Sequence, residues 1–185
     1  ARPSRAWRTP RAATPGPGYT TFPWQTMLFG RGDAWQRARV FILLCRQQQI
    51  DVVMLARGDA GSSGRPRPWL PAALIDDQLY LFDTALGIPV PAAGGSGIAT
   101  LEQVRQDRSL LESLSMGSDY PYEAAQADWS QLVALVDASA EALSYRMKAV
   151  EVQASTGKPL MLSVHPSGLA QRLQRSTDIS QVELW

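Results

Sequence analysis

The chain holds one thiol, Cys45, and one imidazole, His165. A cysteine with a histidine is the minimum set for nucleophilic acyl transfer, in which the imidazole takes the thiol proton and the thiolate attacks a carbonyl. The local sequence argues against that use. Cys45 follows Phe41-Ile42-Leu43-Leu44 near the C-terminal end of a predicted helix, where the helix dipole and apolar burial both disfavour a thiolate. His165 ends a predicted strand and precedes Pro166-Ser167-Gly168, a helix entry, so a structural role fits it better. Ser96, in Gly94-Gly95-Ser96-Gly97, lacks the strand-to-helix context of a nucleophile elbow, and no Gly-Lys-Ser/Thr follows to cradle phosphate. Asp76 and Asp77 are adjacent turn residues, too solvated for paired-carboxylate catalysis. Arg31-Gly32-Asp33 spells an adhesion tripeptide but sits at a helix entry. One cysteine and one histidine exclude a disulfide framework and a cysteine- or histidine-based metal site, and no cofactor motif is present.

The elements that would position these residues indicate an α+β domain. Asp33 and Gln36 form a predicted capping box. Behind it, Ala34, Ala38, Phe41 and Cys45 recur at helical spacing, and Val40, Ile42, Leu43 and Leu44 widen the apolar face, so a nearly all-buried helix is expected to end near Gln49. Asp51–Arg57 reads as a strand, Gly58–Pro68 as a loop, and Trp69–Ile75 with Leu79–Asp83 as a hairpin turning at Asp76-Asp77-Gln78. Gly87–Gly97 is a Pro/Gly-rich loop. Thr100 caps a short helix at Leu101, and a second helical stretch spans Ser109–Leu114. Leu132–Val136 is strand-like in a helical neighbourhood that leaves a helix open as well, and Leu160–Val164 reads as a strand. Glu141–Gln153 reads as a helix with Leu143, Met147 and Val150 on one face, Gly168–Gln174 as a short helix, and Val182–Trp185 as a strand. The expected architecture is a central buried helix packed on a mainly antiparallel sheet.

Length and charge bound the rest. At 185 residues and 45% apolar content the chain fits one domain with an arm. The arm is residues 1–18, with four prolines and with Arg2, Arg5, Arg8 and Arg11 at every third position. That spacing aligns the guanidinium groups on one side of a polyproline-II helix, so an anionic partner such as RNA or lipid headgroups is one reading and a solvated linker the other. The arm carries +4, so a whole-chain charge of +1 leaves residues 19–185 at −3, which argues against a nucleic-acid-binding body. The longest apolar run, Val40–Cys45, is far too short for the roughly 20 residues of a membrane span. The single cysteine fits a reducing compartment but leaves both cytoplasm and cell envelope open.

One stretch, Phe22–Pro91, resembles the core of the transglutaminase-like cysteine hydrolases, in particular a degenerate bacterial branch with a Leu79-Tyr-Leu-Phe-Asp83 strand followed by Leu86-Gly-Ile-Pro89. In that family a cysteine opens the central helix, a small residue follows four positions on, and a basic residue about twelve on. Here Ala38 and Arg46 hold the later positions, and Ala34 stands where the nucleophile belongs. A His-x-Trp strand then precedes an aspartate by about fourteen residues from the Trp. Trp69 and Asp83 have that separation, Thr84 follows the aspartate, and Arg67 stands at the histidine position. Alanine cannot attack a carbonyl, and arginine cannot shuttle a proton near neutrality. The resemblance therefore implies a pseudoenzyme with no catalytic residue and no cofactor. Its old cleft would hold Arg67, Asp83 and Trp69 as binding residues, with Arg67 either paired to Asp83 or open to a carboxylate or phosphate.

The expected role is that of a non-catalytic domain serving interaction or architecture, with a protein partner or the parent polypeptide. Trp7 and Trp24, on the arm and its junction, are the expected docking residues. Two alternatives are an active cysteine hydrolase or transferase using Cys45, and an accessory subunit that binds RNA or anionic lipid through its arginine arm.

Overall fold

A proline at the first helical position and a left-handed glycine after the last mark out the first element, α1 (Pro23–Phe29), which ends on Gly30 with φ of 59°. The computed structural model describes residues 22–57, 66–115, 122, 131–139, 143–154, 165–175 and 179–185. The arginine arm, Trp7, Trp129, most of the Gly58–Pro68 loop and the Leu160–Val164 strand expectation lie outside them. α2 (Ala34–Gln47) begins on the capping box foreseen from Asp33 and Gln36. Asp33 Oδ1 accepts from Gln36 N at 2.8 Å, and Gln36 Oε1 accepts from Asp33 N at 2.9 Å. Together these bonds satisfy two of the donors that a helix start leaves open. Gly32 lets the two helices meet, because a Cβ there would lie 2.7 Å from Thr26 Cγ2.

Next come β1 (Asp51–Arg57), β2 (Arg67–Ile75), β3 (Gln78–Asp83) and the two-residue β4 (Ile88–Pro89). A 3₁₀ turn at Ala93–Gly95 leads to α3 (Leu101–Gln106) and α4 (Ser109–Glu112), then β5 (Leu132–Val136), α5 (Tyr145–Ala154), α6 (Pro166–Leu173) and β6 (Gln181–Leu184). The sheet order is β4-β3-β2-β1-β5-β6, antiparallel throughout except for the parallel β5–β6 pair. The fold is thus α+β on a mainly antiparallel sheet. Asp76 and Asp77 turn the β2–β3 hairpin with φ of 50° and 59°, the left-handed pair of a two-residue primed turn, which aspartate tolerates better than most side chains.

The central strands are buried on both faces, which is why Val52–Ala56 and Leu132–Val136 read as unbroken apolar runs. Val53, Leu55, Leu70, Ala72, Leu79, Leu81, Leu132 and Ala134 point to one side, against Leu101 and Val104 of α3, Leu111 of α4, and Leu169 and Leu173 of α6. Met54, Ala56, Val133 and Leu135 point to the other side with Ala38 of α2, and Val52 and Ala73 with Ile42. The sheet therefore separates α2 from α3, α4 and α6.

One packing expectation and one helix boundary are corrected. α2 is one-sided: only Ala38 and Ile42 are fully buried, and Leu44 is exposed. It lies on the sheet from outside, and α1 covers only part of its back. α5 starts at Tyr145, later than Glu141, and buries Glu151 while Val150 and Val152 stay exposed, so the Leu143–Met147–Val150 side is not a core face.

Candidate functional site

The positions singled out by the sequence fall on two sides of the sheet. Along β3, Leu79 and Leu81 face the α3 side, whereas Tyr80 and Phe82 face α2; the Phe82 ring lies 4.7 Å from that of Phe41. By the two-residue pleat Asp83 faces away from α2. Its partners agree. Oδ1 accepts from the Ala85 and Leu86 amides at 2.7 and 2.9 Å, and Oδ2 accepts from the Tyr122 hydroxyl at 2.5 Å. Tyr122 packs on the α3-side core. Asp83 is 1% exposed, so its carboxylate is a buried turn cap with a charge-assisted phenol bond.

Trp69 shares that side. A bulge where Leu55 pairs with Leu70 and Ala56 with Pro68 makes Trp69 the extra residue, and its ring joins the α3-side core. Arg67 pairs with Arg57, which in turn lies opposite Leu132 of the same core. Arg67, Trp69 and Asp83 thus share a face with one another. Ala34 does not share it: α2 lies across the sheet, and its contact with this strand end is the Thr84 hydroxyl, which donates to the Ala34 carbonyl at 3.0 Å. The expected convergence of Ala34, Arg67 and Asp83 on one cleft is therefore not what the chain builds. The reason is the pleat, which turns residue 84 toward the helix and residue 83 away from it. Nor does Arg67 pair with Asp83, whose oxygens are engaged elsewhere.

Cys45 and His165 are divided in the same way. Cys45 is half-buried against Ile42, Val52 and Ala73 on the α2 side, and burial pushes its thiol pKa up. His165 is exposed at the entry of α6, whose apolar residues lie on the α3 side, and its side chain makes no capping bond. A layer of sheet separates the thiol from the imidazole.

Arg46, the basic residue twelve positions after Ala34, builds a different constellation. It donates to the Asp137 carbonyl oxygen and lies 3.9 Å from its carboxylate, which Arg39 approaches at 3.5 Å. Arg39 also stands 5.8 Å above the Trp185 ring. Desolvation lowers the Arg46 pKa, opposed mainly by Asp137. The cluster ties α2 to the end of β5 and to the residue following β6.

The helix that sequence reasoning missed is α1, of which it singles out only Trp24 as a docking residue. Phe22, Trp24, Met27, Leu28 and Phe29 are all more than half exposed, and only Thr26 of this helix is buried. Its signals were legible: Pro23 at the first turn, Gly30 after the last, and Gln25, whose Oε1 accepts from the Phe22 amide at 3.0 Å. Among the described residues no group of three or more His, Cys, Asp or Glu is placed to hold a metal ion, and no helix is long and apolar enough to cross a membrane. No protein-family model, curated protein or solved structure matches this chain.

Proposed function

We propose that this is a non-catalytic domain serving interaction or architecture within a larger protein or assembly. The observation that carries the reading is the division of the chemistry-bearing side chains. Thiol and imidazole stand on opposite sides of the sheet, and the buried carboxylate of Asp83 at the end of β3 is consumed in capping its own turn and holding Tyr122. Acyl transfer needs nucleophile and base within hydrogen-bond reach of each other. The order of a helix followed by three antiparallel strands agrees with the transglutaminase-like resemblance, whereas the separation of Ala34 from Arg67 and Asp83 does not, so the reading rests on the placement of the side chains and not on that family. The outward apolar residues of α1 support the interaction role, because contiguous exposed apolar surface marks sites of association.

The test is the alkylation of Cys45 by iodoacetamide in the folded chain across pH. The expected profile is slow below the ordinary thiol value and accelerates only above it, with full labelling on denaturation. Rapid labelling that saturates near pH 6 would mean a stabilised thiolate, and the hydrolase reading would replace this one.

A further inference from the structure

Arg57 closes β1, Arg67 opens β2, and the two are direct cross-strand partners. Like charges placed directly opposite each other destabilise a sheet. Arg57 also lies opposite Leu132, so both side chains leave the sheet on the α3 side, at the end where β1 stops. Among the described residues neither guanidinium has an ion-pair or hydrogen-bond partner, and Arg57 Nε is buried without an acceptor. Arg57 is half-buried and Arg67 exposed, so the pair presents one sheltered and one open fork. The carboxylate on the neighbouring strand, Asp83, is closed off by its bonds to Ala85, Leu86 and Tyr122. Among the described residues this cationic pair thus has no counter-charge, and the Asp83 carboxylate on β3 is committed to its own partners.

We propose that Arg57 and Arg67 form a binding site for a phosphate monoester. A carboxylate has two oxygens and one charge, which a single guanidinium fork saturates. A phosphate monoester has three terminal oxygens and about −1.5 to −2 charge at neutral pH, enough to engage two forks and offset two charges together. The ligand relieves the Arg57–Arg67 repulsion and gives the buried Arg57 Nε–H its acceptor. The site does not depend on the non-catalytic reading, since a reactive Cys45 across the sheet would leave it unchanged.

The experiment is a titration of the full chain with phenyl phosphate at pH 7 and fixed ionic strength, followed through the arginine Nε–H resonances. Benzoate is the matched carboxylate. A saturable shift of the Arg57 resonance is expected, with benzoate binding at least about fivefold more weakly. Arg67→Gln should weaken phenyl phosphate binding by about tenfold or more, and Arg67→Lys, which keeps the charge but loses the fork, by a smaller factor. Because Arg67 is exposed, Arg67→Gln should fold, and at low salt without ligand it should unfold no earlier than the parent, which a purely structural arginine would not allow. Equal responses to phenyl phosphate and benzoate, an unmoved Arg57 resonance, or undiminished binding in Arg67→Gln would each overturn the proposal.

Discussion

Two pairs of arginines stand at separate places in this molecule, and they are treated in opposite ways. Arg39 and Arg46 on α2 surround the carboxylate of Asp137, which is largely buried, and Arg39 rests over Trp185. Arg57 and Arg67 face each other across β1 and β2 with no carboxylate partner among the described residues. The first pair sits where a guanidinium has lost water, as the lowered pKa of Arg46 shows, and there a counter-charge is supplied. Arg57 is half-buried as well, so burial alone does not separate the pairs; what separates them among the described residues is the counter-charge. The lesson is that arginine count and spacing do not distinguish a structural cation from an available one, whereas the presence of a counter-charge does.

The sharpest way to break this contrast is Asp137→Ala. It strands Arg46 at the α2–β5 junction, and denaturant unfolding should show a loss of about 2–3 kcal/mol, below the full cost of a deeply buried pair because Arg39 keeps access to water. Tyr122→Phe should cost somewhat less, about 1.5–2 kcal/mol by the same measurement, since one buried Asp83 oxygen loses a charge-assisted partner. If Tyr122→Phe instead had no effect, Asp83 would have another partner to turn to, and the inward commitment of that carboxylate would be wrong. Arg67→Gln should move stability by less than about 0.5 kcal/mol, toward stabilisation at low salt, opposite in sign to Asp137→Ala. The smallest effect belongs to Cys45. Its thiol pKa is raised in the folded state, so the stability linked to that proton is complete below the ordinary value of 9.0 and is lost as pH rises through the higher folded value. Cys45→Ala should flatten that alkaline slope, read from unfolding midpoints between neutral and strongly alkaline pH.

Much of the frame was legible in the residues. The Asp33–Gln36 capping box, the Thr100 cap, the apolar run Asp51–Arg57 and the Asp76-Asp77 turn each announce themselves through local chemistry, and each forms as expected, while Leu132–Val136, open between strand and helix in the sequence, is a strand. The site was less legible, because facing is a long-range property. Spacing along the chain places Trp69 and Asp83 at matching positions on neighbouring strands, yet it does not say on which side of the sheet α2 will lie. The bulge at Trp69 adds one residue to the register, and the pleat then carries Arg67, Trp69 and Asp83 to the face opposite the helix. Trp24 apart, α1 was passed over as a helix because its residues lack an apolar stripe: they are apolar nearly all round, and a helix of seven residues shows too few turns for a period to emerge.

The strand order has a bearing on how the chain reaches this state. α2, β1, β2 and β3 are neighbours in sequence and in space, so they can assemble from local contacts, which form quickly. β1, however, ends as an interior strand whose second edge is filled only by β5, synthesised many residues later. Until then Val52–Ala56, wholly apolar, borders an open row of backbone donors and acceptors. A nascent or partly refolded chain therefore carries a sticky edge in its middle, and crowding or slow translation between β3 and β5 would favour pairing of β1 with another copy over completion of its own sheet.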